Sequence, residues 1–369
     1  MARTPTTHKS DGPQTARLDH KAALELLTQA PMGELMAMAH NERLRRFPDG
    51  RVTFVFDTNP NYTNVCVTRC RFCAFCRMPG DADAYTLTPA EVAAKVKRAG
   101  DLGATTVLIQ GGHNPRMHLA DWLAYIRAIR DACPQIHIHP FSPAEYLFMA
   151  RQEKTDVETI LAAVYNEGIR TIPGGGAEIL SERVRRAIAP HKADTRQWLA
   201  VCEAAHRIGF RTTATMMYGH VETDLEIVDH LMLLRDLQDR TGGFASFIPW
   251  SFKPGDTDLG HEIPGAVHPA KYVRIIALAR LVLDNFDHIQ SSWFSENVAA
   301  GQLGLLAGAD DFGGLLVEEN VLQQAGHERA TTLENVLTII RRAGFTPAQR
   351  DSHYQVLRAF DPPAPVGWR

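Results

Sequence analysis

No stretch of the 369-residue chain approaches the roughly 18 apolar residues in a row that a membrane-spanning helix needs. The opening Met1-Ala-Arg-Thr-Pro-Thr-Thr-His-Lys-Ser-Asp-Gly-Pro lacks the apolar centre of a secretion signal and reads as a polar tail. Together these lead to the expectation of a cytoplasmic protein with no membrane partner. Neither sign of charge is in excess. The 39 Lys and Arg against 42 Asp and Glu leave a net charge of −3, which gives no electrostatic reason to expect nucleic acid. Cysteine is scarce, with six in the chain, and four of them lie between positions 66 and 76, which argues against a disulfide framework. Glycine-rich loops occur, but none runs on into Gly-Lys-Ser/Thr, so a Walker phosphate loop is excluded.

What remains is concentrated. Cys66, Cys70 and Cys73 follow one another as C-x3-C-x2-C, with Cys76 just beyond. Thiolates select zinc, copper(I) or iron–sulfur clusters. A structural zinc site needs a second ligand pair roughly 12–20 residues on, and the next cysteine is Cys133, with no paired ligand near it. Three closely spaced thiolates fit three corners of a [4Fe–4S] cube and leave one iron open to a small molecule. The plainer alternative is a loop of reduced thiols or a structural metal clip.

From about residue 50 onward, short β-rich runs alternate with amphipathic helical stretches. The strand candidates are Val52–Phe56, Thr106–Ile109, Ile136–His139, Thr171–Ile172, Thr212–Met216, Ala245–Ile248, His288–Gln290 and Asp311–Phe312. Helical stretches separate them, which implies parallel β-α-β units with right-handed crossovers. Eight units predict an α/β fold, a (β/α)8 barrel, preceded by a helix over about 18–46 and followed by a C-terminal extension. A six-unit incomplete barrel with an appendage is the alternative. The expected organisation is a disordered tail at 1–17, one barrel domain at 18–358, and a C-terminal tail at 359–369.

In such barrels the active site gathers in the loops after the strands. The cysteine run follows the first strand, and the other polar motifs also follow strands. Gln110-Gly111-Gly112 follows the second, as a ligand-approach loop or simply a tight turn. His137 and His139 share one face of the third, with His139 the better site candidate. Glu178 ends Thr171-Ile-Pro-Gly-Gly-Gly-Ala-Glu after the fourth, as a helix-start carboxylate or a ribose contact. Tyr218, His220 and Glu222 follow the fifth, where Thr223 and Glu226 also read as a capping box. Trp250 and Phe252 follow the sixth, as an aromatic wall or core.

Asn61-Tyr-Thr-Asn-Val-Cys-Val, Cys70-Arg-Phe-Cys-Ala-Phe, Gln110-Gly-Gly, His137-Ile-His-Pro-Phe-Ser-Pro and Ile172-Pro-Gly-Gly-Gly-Ala-Glu-Ile resemble one subgroup of known enzymes. Thr212-Thr-Ala-Thr-Met-Met-Tyr-Gly-His-Val-Glu-Thr, Arg235-Asp-Leu-Gln-Asp, Phe247-Ile-Pro-Trp and Pro347-Ala-Gln-Arg-Asp extend the likeness from about residue 20 to 358. The subgroup is the menaquinone (futalosine-pathway) and deazaflavin branch of the radical S-adenosylmethionine (SAM) enzymes. The resemblance implies a [4Fe–4S] cluster on Cys66, Cys70 and Cys73, with SAM on its open iron. Phe72, Gln110, Gly111, Gly112 and Glu178 are then SAM contacts. It further implies a cyclase acting on dehypoxanthine futalosine, fed by reduced flavodoxin or ferredoxin. In that reading His220 is the base, Glu178 a ribose contact, and Arg350 or Arg211 the partner of the benzoate carboxylate. An aminofutalosine synthase or a deazaflavin (FO) synthase-like enzyme is the alternative within the class, and a non-catalytic iron–sulfur carrier the alternative outside it. Cys76 stands where the family usually has tyrosine, and it is expected to be a free thiol beside the cluster.

Overall fold

The computed structural model describes residues 17–326 and 331–362. Of the two expected tails, residues 1–16 and 363–369 lie outside the described residues. Arg17 belongs to the folded body, its guanidinium paired with Asp239 and Asp284.

Two helices come first, α1 (His20–Thr28) and α2 (Met32–Arg46). The single helix expected here is broken because Pro31 stands at the N-cap of α2 with extended backbone. The barrel then alternates as the sequence rhythm implies. β1 (Arg51–Asn59) leads through α3 (Pro89–Asp101) to β2 (Thr106–Ile109), and α4 (Leu119–Ala132) to β3 (His137–Pro140). Helices α5 (Pro143–Glu153) and α6 (Val157–Asn166) precede β4 (Thr171–Ile172); α7 (Glu182–Ile188) and α8 (Thr195–Ile208) precede β5 (Arg211–Tyr218). Next come α9 (Asp224–Thr241), β6 (Phe244–Ser251), α10 (Asp258–Glu262), α11 (Pro269–Val282) and β7 (His288–Ile289). After α12 (Val298–Leu306) and β8 (Asp311–Glu319) come α13 (Asn320–Gln324), α14 (Leu333–Arg342), β9 (Thr346–Arg350) and β10 (Val356–Ala359).

The helices start where the chain supplies caps. Thr88 with Glu91, Ser142 with Glu145, Asp194 with Gln197, and Thr223 with Glu226 each close a reciprocal capping box. Parallel ladders join β1 to β2, β2 to β3, β4 to β5, β5 to β6, β6 to β7 and β1 to β8. A bridge between Gln290 and Asp311 brings β7 to β8. Between β3 and β4 the link runs through side chains: Thr171 Oγ1 meets His137 Nε2 at 2.9 Å and His139 Nδ1 at 2.7 Å. The eight strands thus lie in two hydrogen-bonded sheets, β1, β2, β3 and β8 in one and β4 to β7 in the other, which meet at these side-chain contacts and at the β7–β8 bridge.

An unexpected strand decides the shape of the barrel floor. β9 pairs in parallel with the start of β1, Arg51 opposite Thr346 through Val55 opposite Arg350. β2 joins the same edge higher up, at Asp57 and Thr58, because β8 occupies the other edge. The C-terminal extension thus delivers Arg350 into the lower end of the lumen. Underneath, α2 packs on α11, and buried Arg43 donates to the carbonyl oxygens of Ala309 (Nε, 2.9 Å) and Arg51 (Nη2, 2.9 Å).

Candidate active site

The cluster loop, residues 60–77, leaves β1 and is clamped from several sides before any cofactor is considered. Cys66 N–H donates to Arg77 O at 2.9 Å, Arg71 N–H to Ile188 O at 2.8 Å, and Cys73 N–H to Cys70 O at 3.0 Å. The Asn61-Tyr-Thr-Asn64 segment carries the rest of the load. Tyr62 OH donates to Glu145 Oε1 at 3.0 Å and accepts from Trp122 Nε1 at 3.2 Å. Asn64 Oδ1 accepts from Tyr85 N–H at 2.7 Å, and its Nδ2 donates to Asp83 O at 2.9 Å. Asn61 Nδ2 donates to Gln110 O at 3.2 Å, tying this loop to the glycine turn after β2.

All four cysteines of the run are partly buried. Burial pushes the Cys70 thiol up to about 12 and raises Cys73 as well, both against the pull of Lys192. Cys66 is held low, chiefly by the neighbouring Cys76 thiol. Cys76 donates to Cys66 O at 3.2 Å, so the fourth sulfur lies against the loop that holds the other three. Among the described residues no group of three or more His, Cys, Asp or Glu converges on a single ion. Three soft thiolates on one loop suit three corners of an iron–sulfur cube.

Above the barrel floor lies a cavity of about 380 Å³. Phe72 and Cys73 reach it from the cluster loop, and Gln110, His139, Glu178, Trp250 and Arg350 from the sequence-predicted set. Glu178, at φ 43°, turns its carboxylate toward Lys192, whose Nζ donates to Oε1 at 2.7 Å. Glu178 Oε2 is buried with no hydrogen-bond partner among the described residues. Burial raises the Glu178 carboxyl, but Lys192 and Arg185 outweigh it and hold the group below its ordinary value. Lys192 also stands 5.6 Å from the centre of the Phe72 ring. The pair therefore offers a fixed positive and negative charge beside the cysteines, suited to a zwitterionic ligand.

Several predicted residues sit elsewhere. Gly111 and Gly112 are not among the cavity-lining residues. Gly111 N–H donates to Glu145 Oε1 at 3.1 Å and Gly112 N–H to Thr63 O at 2.8 Å. A Cβ on Gly112 would stand 2.2 Å from Val65 O, so the glycine allows backbone to meet backbone. His220 is likewise not among the cavity-lining residues. Its side chain is fully buried, Nε2 meets Met217 O at 2.9 Å, and Nδ1 accepts from Val221 N–H at 2.8 Å. Burial lowers its pKa, and the neutral Nε2–H tautomer satisfies both bonds. The expected base has both ring nitrogens occupied by its own turn, which Glu222 also holds through the N–H groups of Gly219 and His220. Arg211 opens β5 at the opposite end and binds Gly242 O and Asp287, whereas Arg350 lines the cavity.

Sequence reasoning missed Lys192 and Asp57. Lys192 carries no local signal, since it lies in an ordinary helix–helix connection. Asp57 does carry one, because it is an acid inside the apolar strand Val52-Thr-Phe-Val-Phe-Asp57.

Residues 60–234 match the radical SAM superfamily. A barrel with its cysteine loop after β1 and a charged pair beside those cysteines is thus the catalytic domain of a radical SAM enzyme. Residues 241–362 match the CofH/MqnC C-terminal region, which contains the Arg350 strand. The chain is 38% identical to a cyclic dehypoxanthine futalosine synthase of Streptomyces coelicolor, over 94% of this chain and 88% of that one. It is 40% identical to a 5-amino-6-(D-ribitylamino)uracil–L-tyrosine 4-hydroxyphenyl transferase of Methanopyrus kandleri, over 89% and 90%. In fold it is similar to methylornithine synthase, with a TM-score of 0.69 at 16% identity, over 90% of this chain and 95% of that one. The chain belongs to the futalosine-pathway and deazaflavin branch of the radical SAM superfamily. Membership implies a [4Fe–4S] cluster and SAM.

Proposed function

We propose that the protein converts dehypoxanthine futalosine to its cyclic form in menaquinone biosynthesis. The observation that carries this reading is near-full-length identity of 37–38% to cyclic dehypoxanthine futalosine synthases from two bacteria. Cys66, Cys70 and Cys73 would hold the cluster, and Phe72, Gln110, Glu178 and Lys192 would hold SAM. When bound and reduced, by flavodoxin or ferredoxin, this cofactor pair would supply a 5′-deoxyadenosyl radical to take the ribose C4′ hydrogen as 5′-deoxyadenosine, and would take back one electron from the substrate. Ribose C4′ would then be bonded to the benzoate ring of the same molecule, with loss of that electron and one proton restoring aromaticity. The product is therefore the substrate less two hydrogens.

The chain's own residues then have three tasks: orientation, exclusion of water and charge complementarity. Arg350 is the partner assigned to the benzoate carboxylate, since a guanidinium suits a carboxylate and this one lines the cavity. Trp250, Ile248, Leu316 and Phe294 give the cavity apolar walls. Gly111, Gly112 and His220 hold the loops around the site. A second reading, favoured by the 40% identity to the tyrosine transferase, is transfer of a 4-hydroxyphenyl group between L-tyrosine and 5-amino-6-(D-ribitylamino)uracil.

The test is incubation of the reconstituted protein with SAM, a reductant and either substrate set, read by mass spectrometry. Free 5′-deoxyadenosine with a product two mass units below dehypoxanthine futalosine supports the cyclase. Turnover only of tyrosine with the ribitylaminouracil overturns it.

A further inference from the structure

One carboxyl in the lumen has no part in the roles above. Asp57 lies on β1 between Val55 and Asn59 and lines the cavity with both, yet it is buried. Its Oδ1 has no hydrogen-bond partner among the described residues. Gly314 on β8 makes room for it, since a Cβ there would stand 2.6 Å from Oδ1.

The charged and titratable groups around Asp57 come from several elements. β8 contributes Asp311, β9 contributes Arg350, the turn beyond β9 contributes Tyr354, and β3 contributes His139. The loops after β4 add the Glu178–Lys192 pair and the cluster loop adds Cys73, while β2, β5, β6 and β7 send only neutral residues to the cavity. Arg350 is already balanced: its Nε and Nη2 donate to Asp311 at 2.5 and 2.9 Å, and Nη1 to Asp351 O at 3.0 Å. An ionised Asp57 would be surplus negative charge at a buried position. Burial, with Asp311 adding to it and Arg350 opposing, pushes the carboxyl up to about 8. At neutral pH the group is a hydrogen-bond donor, and Arg350 retains two N–H bonds not used by Asp311 or Asp351.

We infer that Asp57, as the un-ionised acid, donates its carboxyl hydrogen to the aromatic carboxylate of the substrate while Arg350 holds that same carboxylate from the barrel floor. The inference rests on the futalosine reading and makes Asp57 a substrate-selecting residue; no bond to carbon changes, and the hydrogen stays in the Asp57–carboxylate contact.

The test measures the Kd of dehypoxanthine futalosine from pH 6 to 9.5 for wild type, Asp57→Asn and Asp57→Ala, all reconstituted. Wild-type Kd is expected to stay flat to about pH 8 and then weaken about tenfold per pH unit. Asp57→Asn, whose amide donates but does not ionise, is expected to bind with a flat profile. Asp57→Ala is expected to bind roughly ten- to a hundredfold more weakly at pH 7. A carboxamide analogue is expected to bind wild type without the alkaline loss, a comparison that needs no variant to fold. Turnover at pH 7 with a flat wild-type Kd profile overturns the Asp57 role alone, as does an Asp57→Asn profile like wild type. Absence of turnover of this substrate at every pH overturns the futalosine reading and the Asp57 role together.

Discussion

Replacing Lys192 by Met isolates the charged pair beside the cysteines. Lys192 Nζ and Glu178 Oε1 are 2.7 Å apart, with side chains 16% and 6% exposed. Among the described residues Glu178 Oε2 already lacks a partner, so Lys192→Met leaves a buried carboxylate with no described cation bonded to it. Breaking a buried pair by removing one partner costs about 3–5 kcal/mol, and the opening of Lys192 to the cavity favours the lower end, about 3 kcal/mol. Glu178→Gln is expected to cost about 2 kcal/mol, because the amide keeps one hydrogen bond to the ammonium. The double variant removes both charges and is expected to cost about 2 kcal/mol, giving a coupling near 3 kcal/mol. Urea unfolding of the four cluster-free proteins at pH 7.5 measures this cycle. The sign with pH also follows. In the wild type the Glu178 carboxyl is held low, so its contribution is present above the unfolded pKa and is lost on acidification. Without Lys192, burial governs and the folded pKa rises, so the deficit of Lys192→Met grows from about pH 4 toward neutrality. A coupling below about 0.5 kcal/mol, or a deficit independent of pH, would refute the assignment of Lys192 as the charge that stabilises Glu178.

Gly112→Ala drives a methyl to 2.2 Å from Val65 O and 2.9 Å from Cys66 Cβ. It is expected to cost at least about 1–3 kcal/mol and to lower iron content after reconstitution, because the loop bearing Cys66 must shift. Tyr62→Phe leaves Trp122 Nε1–H without its acceptor and removes one donor from buried Glu145. It is expected to destabilise by about 1–3 kcal/mol in urea unfolding, with little change in far-UV circular dichroism. Cys76→Ala is expected to retain about four irons per chain and the SAM-dependent change in the EPR signal, whereas Cys73→Ala loses both. Loss of the cluster in Cys76→Ala would make Cys76 a ligand.

The eight strands are legible because each is a local event: a β-rich run, a breaker, then an amphipathic helix opened by its own capping residue. Thr223 and Glu226 illustrate it, forming the capping box that their spacing predicts. β9 was not legible for the opposite reason. Thr346-Pro-Ala-Gln-Arg350 has no strand alternation of its own, and it extends because the open lower edge of β1, contributed by the other end of the chain, offers hydrogen bonds. The same limit hid Lys192, whose partner Glu178 is reached only across a helix and two loops.

The glycine turn shows why a correct motif can carry an incomplete role. Gln110-Gly111-Gly112 was legible as a place needing close backbone approach, and close approach is what the structure contains. The groups that approach the open side-chain positions of the two glycines are Tyr62 and Val65 of the cluster loop. Gly111 N–H and Tyr62 OH both converge on Glu145 Oε1, and Gly112 N–H reaches Thr63 O. Asn61 closes the circuit by donating to Gln110 O. Three segments distant in sequence thus brace one another around a single buried carboxylate. If Cys66, Cys70 and Cys73 hold the cluster as proposed, their loop gains most from such bracing when it is in place before metal arrives, since ordering the loop then no longer opposes binding. The short Asn61-Tyr-Thr-Asn motif ahead of the cysteines is, on this view, part of the metal site without touching metal.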